Sequence, residues 1–133
     1  MSSPYRITPT PTLLRVDFVG AIDEPDVAAL ARDLQRMVKV LTPGGFNVLF
    51  NCVELPRYTL PARDALVAVQ QSVAKVAKRT AYLADRPNIR GMALWVAHLS
   101  EDQNVKVVVT QAQAEEWWNA TEGRVEQAKR GLR

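Results

Sequence analysis

The chain has 133 residues, 47% of them hydrophobic and 23% charged, enough for one globular domain with a substantial core. No apolar run approaches the roughly 20 residues of a membrane span, no signal-peptide core follows the N-terminal Met-Ser-Ser-Pro-Tyr-Arg, and a single cysteine, Cys52, excludes a disulfide framework or a cysteine metal cluster. The net charge of +3 hints at nucleic acid. However, residues 120–133 read as a basic C-terminal tail, where Arg124, Lys129, Arg130 and Arg133 outnumber Glu122 and Glu126. A phosphate-binding arm is denser in Lys and Arg than this, so no nucleic-acid partner is expected. With no export signal, a cytoplasmic location is the default expectation.

Tyr5-Arg-Ile-Thr-Pro9 reads as a short edge strand, because Pro9 and Pro11 cannot donate to a sheet ladder. Leu14, Val16 and Phe18 alternate with Arg15 and Asp17, the period of a strand with one wet face. Asp23 then suits an N-cap, Pro25 a first helical turn, and the acidic cluster the positive end of a helix dipole. Val27, Leu30, Ala31, Leu34, Met37, Val38 and Leu41 form the stripe of the first helix, which Thr42-Pro-Gly-Gly45 ends. Phe46 to Val53 is nearly continuous apolar sequence, as in a strand covered on both faces. Cys52 lies within it and reads as a buried, inert thiol.

A second helix is predicted over 60–78, a third core strand over 79–84, a shorter helix over 89–99 and a last strand over 105–109. Thr110, with Gln113 three residues on, then opens a final helix carrying Trp117 and Trp118. Alternating strands and helices predict a mainly parallel sheet with right-handed crossovers. There is no linker, repeat or low-complexity block, so residues 1–133 read as a single domain with its core in 5–119.

This order and these lengths resemble the STAS domain, the SpoIIAA-like fold of anti-anti-sigma factors. The resemblance covers residues 5–119. It is carried by Leu13–Asp23 with its Gly-x-x-Asp ending, by Asn47-Val-Leu-Phe-Asn51, and by the turn over 59–64, which stands where the family has Asp-Ser-Ser/Thr-Gly. It implies an α/β fold: a mostly parallel β-sheet with an antiparallel edge strand and about four helices. It also implies a protein partner of a kinase-like or sigma-regulatory kind. Position by position, the family's acid falls on Thr59, its phosphorylated serine on Leu60 and its next hydroxyl on Pro61, so two of the three positions cannot accept phosphate. Thr59 reads either as a helix cap or as a phosphoacceptor one place early. Asn51 stands where many members have an acid.

No catalytic constellation emerges. His98 has no evident triad partner, no Gly-rich loop follows a strand, and no metal or cofactor is implied. The candidate partner-binding residues are therefore Arg57, Tyr58, Thr59, Arg63 and Arg90. Arg57, Arg63, Lys75, Lys78, Arg79, Arg86 and Arg90 face only Asp64 and Asp85 over 57–90, and the loops at 57–63 and 86–90 follow strands that should end on one side. Ligands and partners of open sheets sit there. A small apolar or anionic ligand in the same place is the alternative to protein docking. Helices confined to one face would leave sheet exposed, for which a homodimer is one solution. Adjacent helical residues point about 100° apart, so of Trp117 and Trp118 one is expected in the core and the other either exposed to a partner or packed against the neighbouring helix.

Overall fold

The computed structural model describes residues 3–119; the basic tail expected over 120–133 lies outside the described residues. Five strands form one sheet in sequence order: β1 (Tyr5–Pro9), β2 (Leu13–Phe18), β3 (Asn47–Asn51), β4 (Thr80–Leu83) and β5 (Val105–Val108). β1 pairs antiparallel with β2, and every later pairing is parallel. The helices are α1 (Glu24–Val38), α2 (Leu60–Ala74), α3 (Pro87–Leu99) and α4 (residues 111–119). The expected α/β fold with an antiparallel edge strand and four helices is present.

The two faces of the sheet bury different side chains because successive strand residues point to opposite sides. Leu14, Val16 and Phe18 of β2, Val48 and Phe50 of β3 and Tyr82 of β4 pack under α1, α2 and α3. Leu49, Ala81, Leu83 and Val108 meet Ala114 of α4 on the opposite face. The apolar part of that second face is thus covered by the same chain. Its remainder, on β1 and β2, carries Arg6, Thr8, Arg15 and Asp17.

Both tryptophans of α4 pack against this second face, half-buried, which corrects the expectation of one core ring and one turned to a partner or the neighbouring helix. Trp117 donates its indole N–H to the Thr80 carbonyl at 3.1 Å, with the Arg79 guanidinium 5.2 Å from its ring centroid.

Cap chemistry sets the helix starts. Asp23 accepts from the Asp26 N–H at 3.1 Å while the Asp26 carboxylate accepts from the Asp23 N–H at 2.9 Å, a reciprocal capping box. α2 ends at Ala74, four residues before the expected Lys78. Past it, the Val76 carbonyl accepts from the Gly44 N–H at 2.7 Å and the Lys78 N–H donates to the Phe46 carbonyl at 2.8 Å. The chain is already being led into β4. Gly44 sits at φ 73°, where a side chain would be strained. Cys52 is fully buried, and burial pushes its thiol up to about 12, so it stays protonated.

One buried polar relay ties α2 to the sheet. The Tyr82 hydroxyl donates to Gln70 Oε1 at 2.8 Å, and Gln70 Nε2 donates to Asp102 Oδ2 at 2.9 Å. Gln70 is fully buried, and burial holds the Tyr82 phenol well above its ordinary value. Tyr82→Phe leaves the Gln70 oxygen unpaired in the core. It is expected to lower unfolding free energy by about 1–3 kcal/mol in a urea titration. Combining it with Gln70→Leu should cost less than the sum of the two single losses, because the pair shares one bond.

Candidate functional site

The region expected to dock a partner is the connection from β3 to α2 and its first helical turn. Two contacts position it. Ile22, just before α1, forms an isolated parallel bridge with Tyr58: the Ile22 N–H donates to the Arg57 carbonyl at 3.3 Å, and the Thr59 N–H donates to the Ile22 carbonyl at 3.2 Å. From the other side, Arg86 Nη2 donates to the carbonyls of Val53 and Leu55. Arg86 therefore holds the β3–α2 loop against the start of α3. Within the loop, Leu55 is fully buried and anchors it to the core.

Thr59 is the N-cap of α2. Its Oγ1 accepts from the Ala62 N–H at 3.3 Å, which satisfies one of the otherwise unpaired donors of the first turn. Pro61 follows within that turn, where its missing N–H costs nothing. Leu60, at the position of the family's serine, is 60% exposed. An exposed leucine at a helix start is not required by the fold.

Arg57, Tyr58 and Thr59 line a cavity of about 210 Å³ with Ala21, Ile22, Asp23 and Asp26. Its carboxylates are already engaged in the capping box of α1. Arg57 is exposed and Tyr58 half-buried. Arg63 lies one turn further along α2 and turns toward α3. Its guanidinium stacks 3.9 Å from the Trp95 ring centroid, and its Nε donates to Asp64 Oδ1 at 3.1 Å. Trp95 is 40% exposed, and Leu99, one turn along α3, is 41% exposed.

The candidate residues therefore divide. Arg57, Tyr58 and Thr59 sit together beside the start of α1. Arg63 joins Trp95 and Leu60 on a ridge between α2 and α3. Arg90 stands apart in α3: its Nη1 is buried with no hydrogen-bond partner among the described residues, and it makes no ion pair or ring contact there. Arg57 thus lies on the loop surface, Arg63 on the first turns of α2, and Arg90 half-buried in α3, while Arg86 braces the loop.

Asn51 explains one departure from the family pattern. In the parallel register it lies opposite Asp17. Its Nδ2 donates to Asp17 Oδ1 at 2.8 Å, and its Oδ1 accepts from the Val53 N–H at 3.2 Å. Arg15 pairs with the same Asp17 at 3.0 Å. An acid at position 51 would set two carboxylates side by side; the amide makes both bonds without charge repulsion.

His98 is exposed in the last turn of α3. Among the described residues no group of three His, Cys, Asp or Glu side chains is placed to hold a metal ion, and no helix is long and apolar enough to cross a membrane.

The folded chain is similar to solved proteins of SpoIIAA-like fold. A DUF3478-family protein of Shewanella loihica PV-4, itself described as having a SpoIIAA-like fold, superposes with a TM-score of 0.61 at 16% identity, over 85% of this chain and 90% of the other. The anti-sigma factor antagonist SpoIIAA in its unphosphorylated form gives 0.59 at 12% identity, over 84% and 93%. The Bacillus cell fate determinant SpoIIAA in its phosphorylated form gives 0.56 at 13% identity, over 84% and 96%. No protein-family model and no curated protein sequence matches the chain. At these identities the likeness establishes a SpoIIAA-like, or STAS, fold.

Proposed function

We propose that this chain is a non-enzymatic, STAS-like protein-interaction module of bacterial signalling that docks a protein partner through the β3–α2 loop and the ridge formed by α2 and α3. The observation that carries this reading is the Leu60–Arg63–Trp95 group, in which Leu60 and Trp95 are exposed and Arg63 is half-buried between them and α3. It presents an apolar side chain, a stacked guanidinium and an indole at the place where the SpoIIAA-like fold has its regulatory turn. Aromatic and Arg side chains dominate binding energy in protein interfaces. The likeness to an anti-sigma factor antagonist supports a sigma-regulatory or kinase-like partner.

Phosphate control of the usual kind has no acceptor at Leu60 or Pro61. Thr59 spends its hydroxyl on the cap of α2, so the reading is of a docking surface held in one conformation by Thr59, Ile22 and Arg86. Replacing Arg57 and Arg63 together by Glu should abolish capture of proteins retained by the wild-type chain in a pull-down, with the far-ultraviolet circular dichroism spectrum unchanged. Retention of the same proteins by the folded double variant would place the docking surface elsewhere.

A further inference from the structure

A second space lies away from the docking loop. A groove of about 550 Å³ runs between α1 and α2. Its floor is formed by the buried Val27 and Leu34 of α1 and Val69 and Val73 of α2, with half-buried Val38 and Val76 at one end. Its size falls within the range of small-molecule sites, and its lining is predominantly apolar, as theirs is. Two physical features give it a direction. Glu24, at the start of α1, is the one acid along it, and Lys75, just past the end of α2, is the one cation. Gln35 and Ser72 add polar groups along the lining. The fourteen residue steps from Glu24 to Val38 correspond to a helix length of about 21 Å, which gives the scale of an extended alkyl chain rather than of a compact ring system.

We propose that this groove binds a long-chain fatty-acid anion, with the carboxylate at Lys75 and the alkyl chain laid along the valines toward the start of α1. Charge complementarity selects this orientation. Lys75 attracts the carboxylate, and Glu24 repels it from the opposite end. The carbonyl ends of both helices oppose an anion at the Lys75 end, so Lys75 is the residue that decides whether an anionic or a neutral amphiphile is taken. Ala31 and Ala68 keep the groove open, because larger side chains at those positions would occupy the space between the helices.

The test is calorimetric titration of the full chain with dodecanoate below its micelle concentration. Affinity should rise about fourfold per added methylene from octanoate to dodecanoate, the value of burying each one. Lys75→Glu should weaken dodecanoate about tenfold while leaving neutral dodecanol unchanged. Ala31→Leu with Ala68→Leu should abolish binding of both at an unchanged or raised thermal midpoint, which shows that the variant is folded. Arg57→Glu should leave binding intact, so failure of the docking reading and failure of this one are separable. No dodecanoate binding by the wild type, undiminished binding by the filled variant, or equal loss of acid and alcohol on Lys75→Glu would overturn the proposal. A concentration-dependent dimer seen by light scattering and abolished by the filling pair would also overturn it and assign the groove to a second copy.

Discussion

Phe50→Ala is expected to cost about 3–5 kcal/mol of unfolding free energy, a large share of the roughly 5–15 kcal/mol that domains possess. Phe50 is fully buried in β3, the middle strand, and its ring stacks between two others: Phe18 at a centroid distance of 6.2 Å and Tyr82 at 4.7 Å. Removing it takes away its own burial and leaves a cavity beneath the helices. The surrounding rings cannot close that cavity, because Phe18 and Tyr82 are fixed by the sheet ladder on either side. The Tyr82 ring also carries the hydroxyl bound to Gln70, so its movement would strain the buried polar relay. A guanidinium titration read by circular dichroism should show the midpoint fall with the slope unchanged. Phe50→Leu should cost distinctly less, because much of the volume is retained. A loss below about 1 kcal/mol for Phe50→Ala would mean that the core collapses around the gap, and that the stacked column is not its rigid centre.

The part of the fold legible in the sequence is the part governed by local periodicity. The alternation of Leu14, Val16 and Phe18 with Arg15 and Asp17 reports the wet face of β2, and the unbroken apolar run from Phe46 reports a strand covered on both sides. Asp23 and Thr59 disclose helix starts because a cap is a contact over three residues. What stays hidden depends on distant partners. Gln70 looks like a polar residue on a helix; only Tyr82 and Asp102, 12 and 32 positions away, make it a core residue. Trp95 gives no sign of Arg63, 32 positions earlier, and Arg86 reads as one more surface base until the Leu55 carbonyl is seen to need it. The charge count over 57–90 cannot separate Arg63, stacked on Trp95, from Arg86, which braces the loop, or Arg79, beside Trp117. The end of α2 was also out of reach, because it depends on Phe46 and Gly44 in the loop before β3. The candidate site was thus legible as a place in the fold, and only partly as a set of side chains.

Trp95→Ala is expected to weaken the partner recovered in the pull-down by at least about thirtyfold, the scale of an interface hot spot above 2 kcal/mol. The ring does two things at once. Its exposed face offers apolar area to a partner, and its other contact orients the Arg63 guanidinium at 3.9 Å. Without the ring, Arg63 keeps only the Asp64 carboxylate, which is exposed and contributes little in water. The arginine would then have to be ordered anew in every encounter, an entropic cost the stacked form has already met. Because the lost contacts are made after encounter, the loss should appear in the dissociation rate rather than the association rate. Arg63→Lys separates the two roles: it keeps the charge and the indole but loses the planar stack, since an ammonium is a compact charge on a flexible stem. Affinity between that of the wild type and Trp95→Ala is expected for it by surface plasmon resonance. Trp95 packs outside the buried core, so Trp95→Ala should leave the thermal midpoint close to that of the wild type. A Trp95→Ala chain that binds its partner at wild-type strength would remove the α2–α3 ridge from the interface and leave the loop at Arg57 and Tyr58 to carry it alone.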